Sequence, residues 1–456
     1  MAAISPSRKA AFEILLAVER GRAHSDDLLR DPAVNKLSPA DRNLVTTLVL
    51  GVLRWQIALD AQIKTHLKKP NAKLDPEVSI ALRLGVFQLF HLDRIPAHAA
   101  IDESVELTKH SGHRFASGMV NAVLRSASRS KPASSDHQEH SAIELALAQA
   151  HPQWLVDRWI TNYGIDATRA LCRHGQAQPP LTIRIASPVV ADELTGVGIQ
   201  LSPGALLTSA RTVISADVTA TAAFDSGLVR IQDEGSQLIA EIACASASLI
   251  QDQKKLLDTC AAPGGKTLIL AERMPHAAIL ACESNEKRLS ELKKRLAPHS
   301  SRIEFRLADA SALTDDSVFD FALVDVPCSG TGTLGRNPEI RHRLKPDDLA
   351  RHAERQQAIL RAAIRAVRPG GRIVYSTCSL EPEENEQVVA AVLANNSTAR
   401  QISLAPQITA LRSNAILTPS AADSLTAAIT PEGALRLLPG AFPTDGFFIA
   451  LIEKSS

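Results

Sequence analysis

Aromatic residues are scarce in this sequence: three Trp, two Tyr and eleven Phe stand among 456 residues. No two of the six cysteines have the CxxC spacing of a structural zinc site, and they are too sparse for a disulfide scaffold. The longest apolar run, residues 44–53, is half the roughly 20 residues that a membrane-spanning helix needs. The first 22 residues lack the apolar core of a signal peptide. We therefore expect a cytoplasmic protein with reduced thiols, no metal and no membrane partner.

The near-zero net charge conceals an uneven distribution. Residues 1–135 contain 19 Lys and Arg against 13 Asp and Glu, whereas the remaining residues contain 31 against 36. A basic N-terminal part followed by a mildly acidic one indicates a module that faces a polyanion, or a helical domain with many surface lysines.

The N-terminal part has the apolar periodicity of a helical bundle. Helical patterns follow Ser5-Pro6, Ser38-Pro39, Asp75-Pro76 and Ile95-Pro96, and another runs from Phe115 to Arg125. In the first three cases a capping residue precedes a proline at the first helical position. The pattern predicts an all-α domain over residues 1–130, and the polar stretch that follows predicts a linker over residues 131–149.

The remaining chain changes from a mixed pattern to a regular alternation. Residues 150–235 predict a small α+β subdomain, with strands at Leu181–Ile185 and Leu228–Ile231. Apolar strands then alternate with amphipathic helices over residues 236–456, which predicts an open, mostly parallel α/β sheet. The candidate strands are Lys255–Thr259, Ala278–Glu283, Ile303–Leu307, Asp320–Val326, Arg372–Thr377 and Gly446–Ile452.

A glycine-containing loop follows the first of these strands, where an open α/β sheet binds its ligand. The loop consists of Cys260, Ala261, Ala262, Pro263, Gly264, Gly265 and Lys266. Gly265-Lys266-Thr267 resembles the end of a nucleotide-binding P-loop. However, the first glycine of that motif would fall at Cys260, and Pro263 removes one of the N–H groups that such a loop donates.

A nucleoside without a phosphate chain is the competing ligand. Glu283 ends the second strand, where an acid binds ribose hydroxyls in dinucleotide folds, and Asp309 follows the third strand. Acids that face the ligand disfavour a polyphosphate and favour a cationic or neutral nucleoside. S-adenosylmethionine fits this description, although either acid could also be an ordinary cap or turn residue.

Two further cysteines follow the fourth and fifth strands. Cys328 lies in Asp325-Val326-Pro327-Cys328-Ser329-Gly330-Thr331-Gly332, and Cys378 lies in the segment from Tyr375 to Asn385. A thiolate that adds to carbon 6 of a pyrimidine activates carbon 5 toward a methyl sulfonium, while an acid near N3 stabilises the developing charge. Cys378, Cys328 and Asp325 supply these groups. We expect Cys172, Cys244 and Cys282 to be core residues instead.

These motifs resemble the RNA cytosine-C5 methyltransferases of the Sun/Nop2 type. The resemblance rests on LDTCAAPGGKT, DVPCSGTG and YSTCSLEPEEN, and on the trailing Leu438-Pro439-Gly440 and Asp445-Gly446-Phe447-Phe448. It implies that Cys378 is the nucleophile, that Cys328 assists product release and that Asp325 stabilises N3. It also implies cofactor contacts from Cys260 to Lys266 and from Glu283, Asp309 and Asp325. Because DNA cytosine methyltransferases use the cysteine of the PC motif as the nucleophile, the motifs alone do not assign the two thiols.

The N-terminal part resembles the NusB-type RNA-binding domain, mainly through the segment from Phe115 to Arg125. Its combination with this catalytic part is similar to the methyltransferases of bacterial 16S rRNA, and implies cytosine 967 in standard 16S numbering as the target. The implied fold is a NusB-like bundle, an RRM-like insert and a Rossmann-like methyltransferase domain, and the implied partner is small-subunit rRNA. The sequence does not indicate an oligomeric state, and a monomer is the default expectation. Another RNA substrate, a P-loop NTPase and a non-catalytic RNA-binding module are the alternatives.

Basic residues follow the Cys328 motif. Arg336, Arg341, His342 and Arg343 could contact phosphates near a flipped nucleotide, or form an ordinary solvated turn. With so few aromatic residues for stacking, we expect phosphate contacts to dominate RNA binding, which should weaken strongly with salt.

Overall fold

A computed structural model describes residues 4–130, 141–248 and 254–455. They divide into two units, Met1–Gln178 with Leu334–Arg343, and Pro179–Thr333 with Leu344–Ser456. Residues 131–140 of the expected linker lie outside the described residues. The linker prediction was wrong for Ala142–Ala148, which is helical because Ser141 and Glu144 form a capping box, each side chain accepting a hydrogen bond from the other's backbone N–H.

The first unit is helical, as predicted. Its helices are α1 (Pro6–Glu19), α2 (Ser25–Leu29), α3 (Pro32–Asn35), α4 (Pro39–His66), α5 (Pro76–His91), α6 (Ala97–His110), α7 (Ser117–Ala127), α8 (Ala142–Ala148) and α9 (Gln153–Gln176). The apolar faces of α1, α4, α5, α6 and α7 enclose one buried core. These five helices are the ones that the periodicity predicts, because each has a stripe that only its neighbours can bury.

The predicted helix starts are at the expected residues, but their caps differ. Ser38 accepts a hydrogen bond from the Asp41 N–H at 3.1 Å, whereas the side chains of Ser5 and Asp75 make no capping bond. Ser5 instead donates through its hydroxyl to Glu103 on α6 at 2.7 Å. Its side chain therefore links two helices, a role that a local sequence pattern does not reveal.

Helix α4 is longer than the apolar run within it. Among the described residues, it alone has the length and apolar composition of a helix that could cross a membrane, which core helices also have. Leu48, Val49 and Val52 on α4 are buried in the helical core. In this structure, that face of α4 contacts α1 and α5.

Residues 334–343 belong to the first unit, and about half of them are buried there. Arg341 is 2% exposed, and its guanidinium donates to the carbonyls of Arg54 at 3.1 Å, Ala150 at 3.0 Å and Gly175 at 2.8 Å. Glu339 is also buried, and accepts hydrogen bonds from the backbone and hydroxyl of Ser25. The segment thus places two charged side chains, both hydrogen-bonded, in the interior of the helical unit.

This arrangement contradicts the prediction that Arg341 contacts phosphates. Its donors are turned inward to backbone carbonyls, and burial lowers the pKa of Arg341 to about 9. Arg343 likewise donates to the carbonyls of Val18 and Ala23, and His342 contacts the carbonyl of Leu53. The prediction was wrong for Arg341 because exposure cannot be deduced from a basic run, whereas for the half-buried Arg336 and Arg343 it stays a prediction.

We expect Arg341→Ala to destabilise the helical unit by about 3–5 kcal/mol, because it leaves several buried carbonyls without their donor. Denaturant unfolding of the full-length protein measures the effect. Arg22→Ala is the control, since Arg22 is exposed in the same unit and should change the free energy of unfolding by less than about 0.5 kcal/mol. Equal stability of the two variants would contradict a structural role for the buried guanidinium.

The second unit begins with a small α+β domain. Its elements are β1 (Leu181–Ile185), α10 (Pro188–Gly196), β2 (Gln200–Pro203), β3 (Ala210–Ser215), α11 (Ala222–Asp225) and β4 (Val229–Ile231). The strands pair antiparallel in the order β2-β3-β1-β4. Ile183, Val190 and Leu194 lie in its core. This β-α-β-β-α-β order is the ferredoxin-like arrangement, which includes the RRM-like fold expected for the insert.

The larger sheet carries the motifs. Its elements are α12 (Glu234–Ser248), β5 (Lys255–Asp258), α13 (Gly265–Arg273), β6 (Ala278–Glu283), α14 (Glu286–Arg295), β7 (Ile303–Leu307), β8 (Phe319–Asp325), α15 (Ile340–Arg343, in the first unit), α16 (Pro346–Ala366), β9 (Val367–Thr377), α17 (Glu386–Ala394), β10 (Ala399–Ile402), α18 (Ala405–Ser413), α19 (Ala421–Ala427), β11 (Leu435–Leu437) and β12 (Phe447–Lys454). The order is β10-β12-β9-β8-β5-β6-β7, with β11 also paired to β12.

Strands β7, β6, β5, β8 and β9 pair parallel to one another in that order. Strand β12 pairs antiparallel with β9 and so begins the antiparallel part of the sheet. Apolar cores cover both of its faces. The six candidate strands are confirmed, whereas the sequence did not predict β10 and β11. Since β5 through β9 are parallel, their carboxyl ends share one edge, and the loops after β5, β6, β7, β8 and β9 meet there.

Candidate active site

The glycine loop turns the chain from β5 into α13. Gly264 has a φ of +100°, in the left-handed region that favours glycine. A Cβ on Gly264 would lie 2.7 Å from Cδ1 of Leu292 on α14, so space also requires glycine at this position. The loop therefore passes close to the neighbouring helix, and the N-terminus of α13 faces the carboxyl edge of the sheet.

Lys266 connects this loop to the strand that precedes Cys328. Its ammonium lies 2.8 Å from Oδ2 of Asp325, and Oδ1 of Asp325 accepts a hydrogen bond from the Ser376 hydroxyl at 2.7 Å. Burial disfavours the charge on Lys266, but Asp325 outweighs it, and the pKa of Lys266 is raised. Both oxygens of Asp325 are thus engaged, one by a cation and one by a hydroxyl.

A pocket of about 170 Å³ lies along the same edge of the sheet. Its lining residues are Thr259, Cys260, Ala262, Glu283, Ser284, Arg288, Ala308, Asp309, Ala310, Asp325, Val326, Pro327, Arg355 and Ile359. The acids that the sequence singled out after three strands, Glu283, Asp309 and Asp325, thus share one cavity. Arg288 and Arg355, which sequence reasoning missed, also line it.

The two outer acids are held differently. Glu283 is 4% exposed, and its Oε1 accepts the Asn285 N–H at 2.9 Å. Asp309 is exposed, and hydrogen bonds from the backbone and the hydroxyl of Ser311 lower its pKa. A buried acceptor and an ionised one at consecutive strand ends suit a ligand with hydroxyl or amino donors.

Asp258, at the end of β5, is a buried acid that the motif analysis left without a role. It accepts a hydrogen bond from the Thr267 hydroxyl at 2.7 Å. Burial raises the pKa of Asp258 to about 6, although the Thr267 bond opposes this effect. The bond joins the two ends of the glycine loop and helps to fix its shape.

The thiols of Cys328 and Cys378 lie 3.3 Å apart. They follow β8 and β9, which are neighbours in the sheet with Asp325 opposite Ser376. The hydrogen bond from Cys378, followed by burial, raises the pKa of Cys328 well above its ordinary value. The two thiols therefore share one hydrogen bond, in which either sulfur can be the donor.

A buried carboxylate, Glu384, joins the loops that carry the two cysteines. Its Oε1 accepts the Ser329 N–H at 2.8 Å and the Gln356 amide at 2.9 Å. Its Oε2 accepts the hydroxyls of Ser329 and Ser379. Ser329 and Ser379 directly follow Cys328 and Cys378, so Glu384 fixes both chain segments next to the thiols. The YSTCSLEPEEN motif contains Glu384, but only the fold shows what it contacts.

The backbone behind Cys378 requires glycine. The N–H of Gly332 donates to the Cys378 carbonyl at 2.9 Å, and the N–H of Gly446 donates to the Gly332 carbonyl at 2.8 Å. A Cβ on Gly332 would lie 2.4 Å from the Gly446 carbonyl oxygen. This close passage explains why the DVPCSGTG and trailing DGFF motifs both contain glycine.

The remaining cysteines divide as expected. Cys172, Cys244 and Cys282 are buried in the described interior. Cys260 lines the pocket, and burial raises its pKa to about 12, which makes it a poor nucleophile. Cys328 and Cys378, by contrast, are half-buried and lie next to each other.

Family comparisons cover most of the chain. Residues 5–129 match the NusB family, residues 151–210 match the ferredoxin-like domain described as Methyltr_RsmF/B-like, and residues 247–453 match the family described as 16S rRNA methyltransferase RsmB/F. These ranges follow the three predicted domains.

Curated relatives match over nearly the full length. A Bacillus subtilis protein named "Probable ribosomal RNA small subunit methyltransferase B" is 35% identical and covers 98% of both chains. The ribosomal RNA small subunit methyltransferase B of Pseudomonas syringae is 34% identical, over 88% of this chain and 89% of its own.

Solved structures share the fold. The crystal structure of PH0851 aligns with a TM-score of 0.78 and 24% identity over 99% of both chains. A methyltransferase homolog protein from Pyrococcus horikoshii aligns with a TM-score of 0.55 and 26% identity, over 70% of this chain and all of its own.

Proposed function

The chain belongs to the RsmB/F family of 16S rRNA methyltransferases, and from this premise we propose that it methylates carbon 5 of a cytosine in 16S rRNA. The observation that carries this proposal is the pair of thiols, 3.3 Å apart at the ends of neighbouring strands. Covalent activation of a pyrimidine needs a sulfur nucleophile, and a second thiol can assist its departure.

S-adenosylmethionine, the cofactor of the family, supplies a methyl group on a sulfonium. The lining residues fit it, because Glu283 offers a buried carboxylate to ribose hydroxyls and Asp309 offers an ionised one to amino donors. The backbone from Cys260 to Gly265 would complete its site. Lys266 is paired with Asp325, and Pro263 donates no N–H, so the loop does not favour a polyphosphate.

In the proposed reaction, the Cys378 thiolate forms a bond to carbon 6 of the cytosine. Electron density then moves toward carbon 5 and N3. Carbon 5 would form a bond to the methyl carbon while the bond from that carbon to the sulfonium sulfur breaks, which leaves a neutral thioether. Asp325 stabilises the charge that develops at N3. The ammonium of Lys266, which is paired with Asp325, supplies the positive charge that a carboxylate alone lacks. Transfer of the carbon 5 proton to a base such as water, and cleavage of the bond between Cys378 Sγ and carbon 6 with its electron pair returning to the sulfur, restore the aromatic ring.

We assign product release to Cys328. Its raised pKa keeps it protonated beside Cys378, so its S–H can donate to the sulfur that departs from carbon 6. This order of roles follows the RNA enzymes of the family that the motifs resemble, rather than the DNA enzymes.

Transfer of tritium from labelled S-adenosylmethionine to rRNA tests the activity, and bisulfite mapping of rRNA from cells with and without the gene tests the position. We expect one cytosine of 16S rRNA, at the position implied by the resemblance, to resist conversion only when the gene is present. Methylation of a different atom or base contradicts the proposal. Mapping of total RNA identifies a different RNA substrate.

The cofactor assignment predicts that Glu283→Ala weakens S-adenosylmethionine binding about 10- to 100-fold, because a charge-assisted hydrogen bond to a hydroxyl is worth roughly 1.5–3 kcal/mol. Calorimetric titration measures the dissociation constant. Glu291→Ala is the control, since Glu291 is an exposed acid on the neighbouring helix α14. If both variants bind like the wild type, Glu283 does not hold the ribose.

A further inference from the structure

Phe115 is an aromatic residue at the surface of a protein that has few. Its side chain is 80% exposed, and among the described residues it is the one aromatic in the set of exposed large apolar side chains. It lies in the short helical turn before α7, between Arg114 and the start of the helix. The His113 ring is its described ring neighbour, with 5.7 Å between the centroids.

The exposed side of α7 continues from this ring. Gly118, Ala122, Arg125 and Arg129 follow Phe115 at intervals of three or four residues and are all exposed, whereas Val120, Val123 and Leu124 on the opposite side are buried. A Cβ at Gly118 would meet nothing within 4 Å, so internal packing does not require glycine there. We call Arg114, Phe115, Gly118, Ala122, Arg125 and Arg129 the α7 face. It is a shallow strip with an aromatic ring at one end.

The charge of the α7 face is positive. Within the described ranges, none of Arg114, Arg125 and Arg129 forms an ion pair, and the Nε of Arg125 donates only to the Asn121 side chain at 3.0 Å. Arg125 and Arg129 line a pocket of about 330 Å³ together with His98, Ile101, Asp102 and Ser128, in which Asp102 is the one carboxylate. From Phe115 to Arg129 the strip extends about 20 Å along the helix.

We propose that the α7 face binds a single-stranded segment of the RNA substrate, with an unpaired base stacked on Phe115 and phosphates bound by Arg114, Arg125 and Arg129. The inference rests on the proposed RNA methyltransferase function and names the surface that holds the substrate. An exposed ring beside arginines that form no ion pair with any described residue matches single-stranded RNA, because bases stack on aromatics while arginines neutralise the backbone. The core of a protein–protein interface would need more apolar area than one ring provides.

Stacking and charge are separable by their salt dependence. The full-length protein is titrated with a fluorescein-labelled single-stranded oligonucleotide of 16S rRNA sequence over a range of salt concentrations. We expect Phe115→Ala to weaken binding by about tenfold with an unchanged salt slope. Arg125→Ala/Arg129→Ala should lower the slope of log K against log salt by about 1.4, since each single-strand phosphate contact contributes roughly 0.7.

Conservative and control variants exclude a loss of folding. Phe115→Trp should keep wild-type affinity, and its fluorescence should be quenched when the oligonucleotide binds. Ile143→Ala and Lys36→Ala remove an exposed apolar residue and an exposed cation elsewhere in the helical unit, and should bind within twofold of the wild type. Equal affinity of Phe115→Ala and wild type overturns the proposal. The proposal is also overturned if the oligonucleotide binds to Phe115→Trp without quenching its fluorescence.

Methyl transfer distinguishes this proposal from the proposed function. With saturating rRNA, Phe115→Ala should transfer methyl groups at the wild-type rate, while its KM for RNA rises about tenfold. A wild-type enzyme that methylates 16S rRNA, together with a Phe115→Ala variant of unchanged KM, refutes the α7 face alone. A wild-type enzyme that transfers no methyl group to RNA refutes the function instead.

Discussion

Replacement of Cys378 by alanine is expected to reduce methyl transfer by roughly a thousandfold or more, because the variant lacks the nucleophile that we propose for carbon 6. Replacement of Cys328 should have a different signature. Cys328→Ala retains the nucleophile but lacks the S–H that assists its departure, so a covalent protein–RNA adduct should accumulate. The two thiols lie 3.3 Å apart, yet the adduct should accumulate in Cys328→Ala and be absent in Cys378→Ala.

Incubation with rRNA and labelled S-adenosylmethionine, followed by denaturing electrophoresis, measures both outcomes. The Cys328→Ala adduct should survive SDS and disappear in the double variant with Cys378→Ala. Cys244→Ala is the control, because Cys244 is a buried core cysteine on α12 and should leave both readouts near wild type. An adduct that forms with Cys378→Ala and not with Cys328→Ala would reverse the two roles and match the DNA enzymes.

Loss of Glu384 should lower the turnover number about a hundredfold while S-adenosylmethionine binding stays within severalfold of wild type. Glu384→Ala removes the acceptor for Ser329, Ser379 and Gln356, which position the segments beside the two thiols. A displacement of about 1 Å in a catalytic group can cost that factor. Glu384 is not in the lining of the cofactor pocket, so the dissociation constant of the cofactor should change little.

A lower kcat with unchanged cofactor affinity distinguishes a role of Glu384 in positioning the cysteine loops from a general loss of folding. The Glu384→Gln variant tests this role further. Glutamine can replace part of the hydrogen bonding, so its turnover number should lie between those of alanine and wild type. Glu432→Ala, an exposed acid in the same unit, serves as the control. A Glu384→Ala enzyme with wild-type turnover would show that the two cysteine loops do not depend on this carboxylate.

Local patterns predicted the parts of the fold that local chemistry determines. The strands that carry motifs contain adjacent apolar residues followed by turn residues, and several N-terminal helices begin at proline signals, so both could be predicted from the sequence. Strands β10 and β11 were missed because their sequences, ARQI and LRL, are short and interrupted by arginine or glutamine, and only pairing with β12 makes them strands. The signal of helix α8, Ser141 followed three residues later by Glu144, is present in the sequence but was overlooked at the end of a polar stretch.

The candidate site shows the same division. Glu283, Asp309, Cys328 and Cys378 could be selected because each follows a strand, and parallel strands bring their ends together. The contacts of Glu384 depend on which side chains the fold places around it, and this information is not local. Arg341 is the clearest case, since a basic residue after a motif has the same appearance in sequence whether solvent or backbone carbonyls surround it.

The path of residues 334–343 has a consequence for inheritance. The chain enters the helical unit directly after the Cys328 motif and returns at Leu344, so the helical unit contains two separate stretches of the gene product. A recombination event that exchanged only the residues before Pro179 would change the residues that hydrogen-bond to the Glu339 carboxylate and the Arg341 guanidinium. We therefore expect relatives that acquire this helical domain by recombination to acquire residues 334–343 together with it.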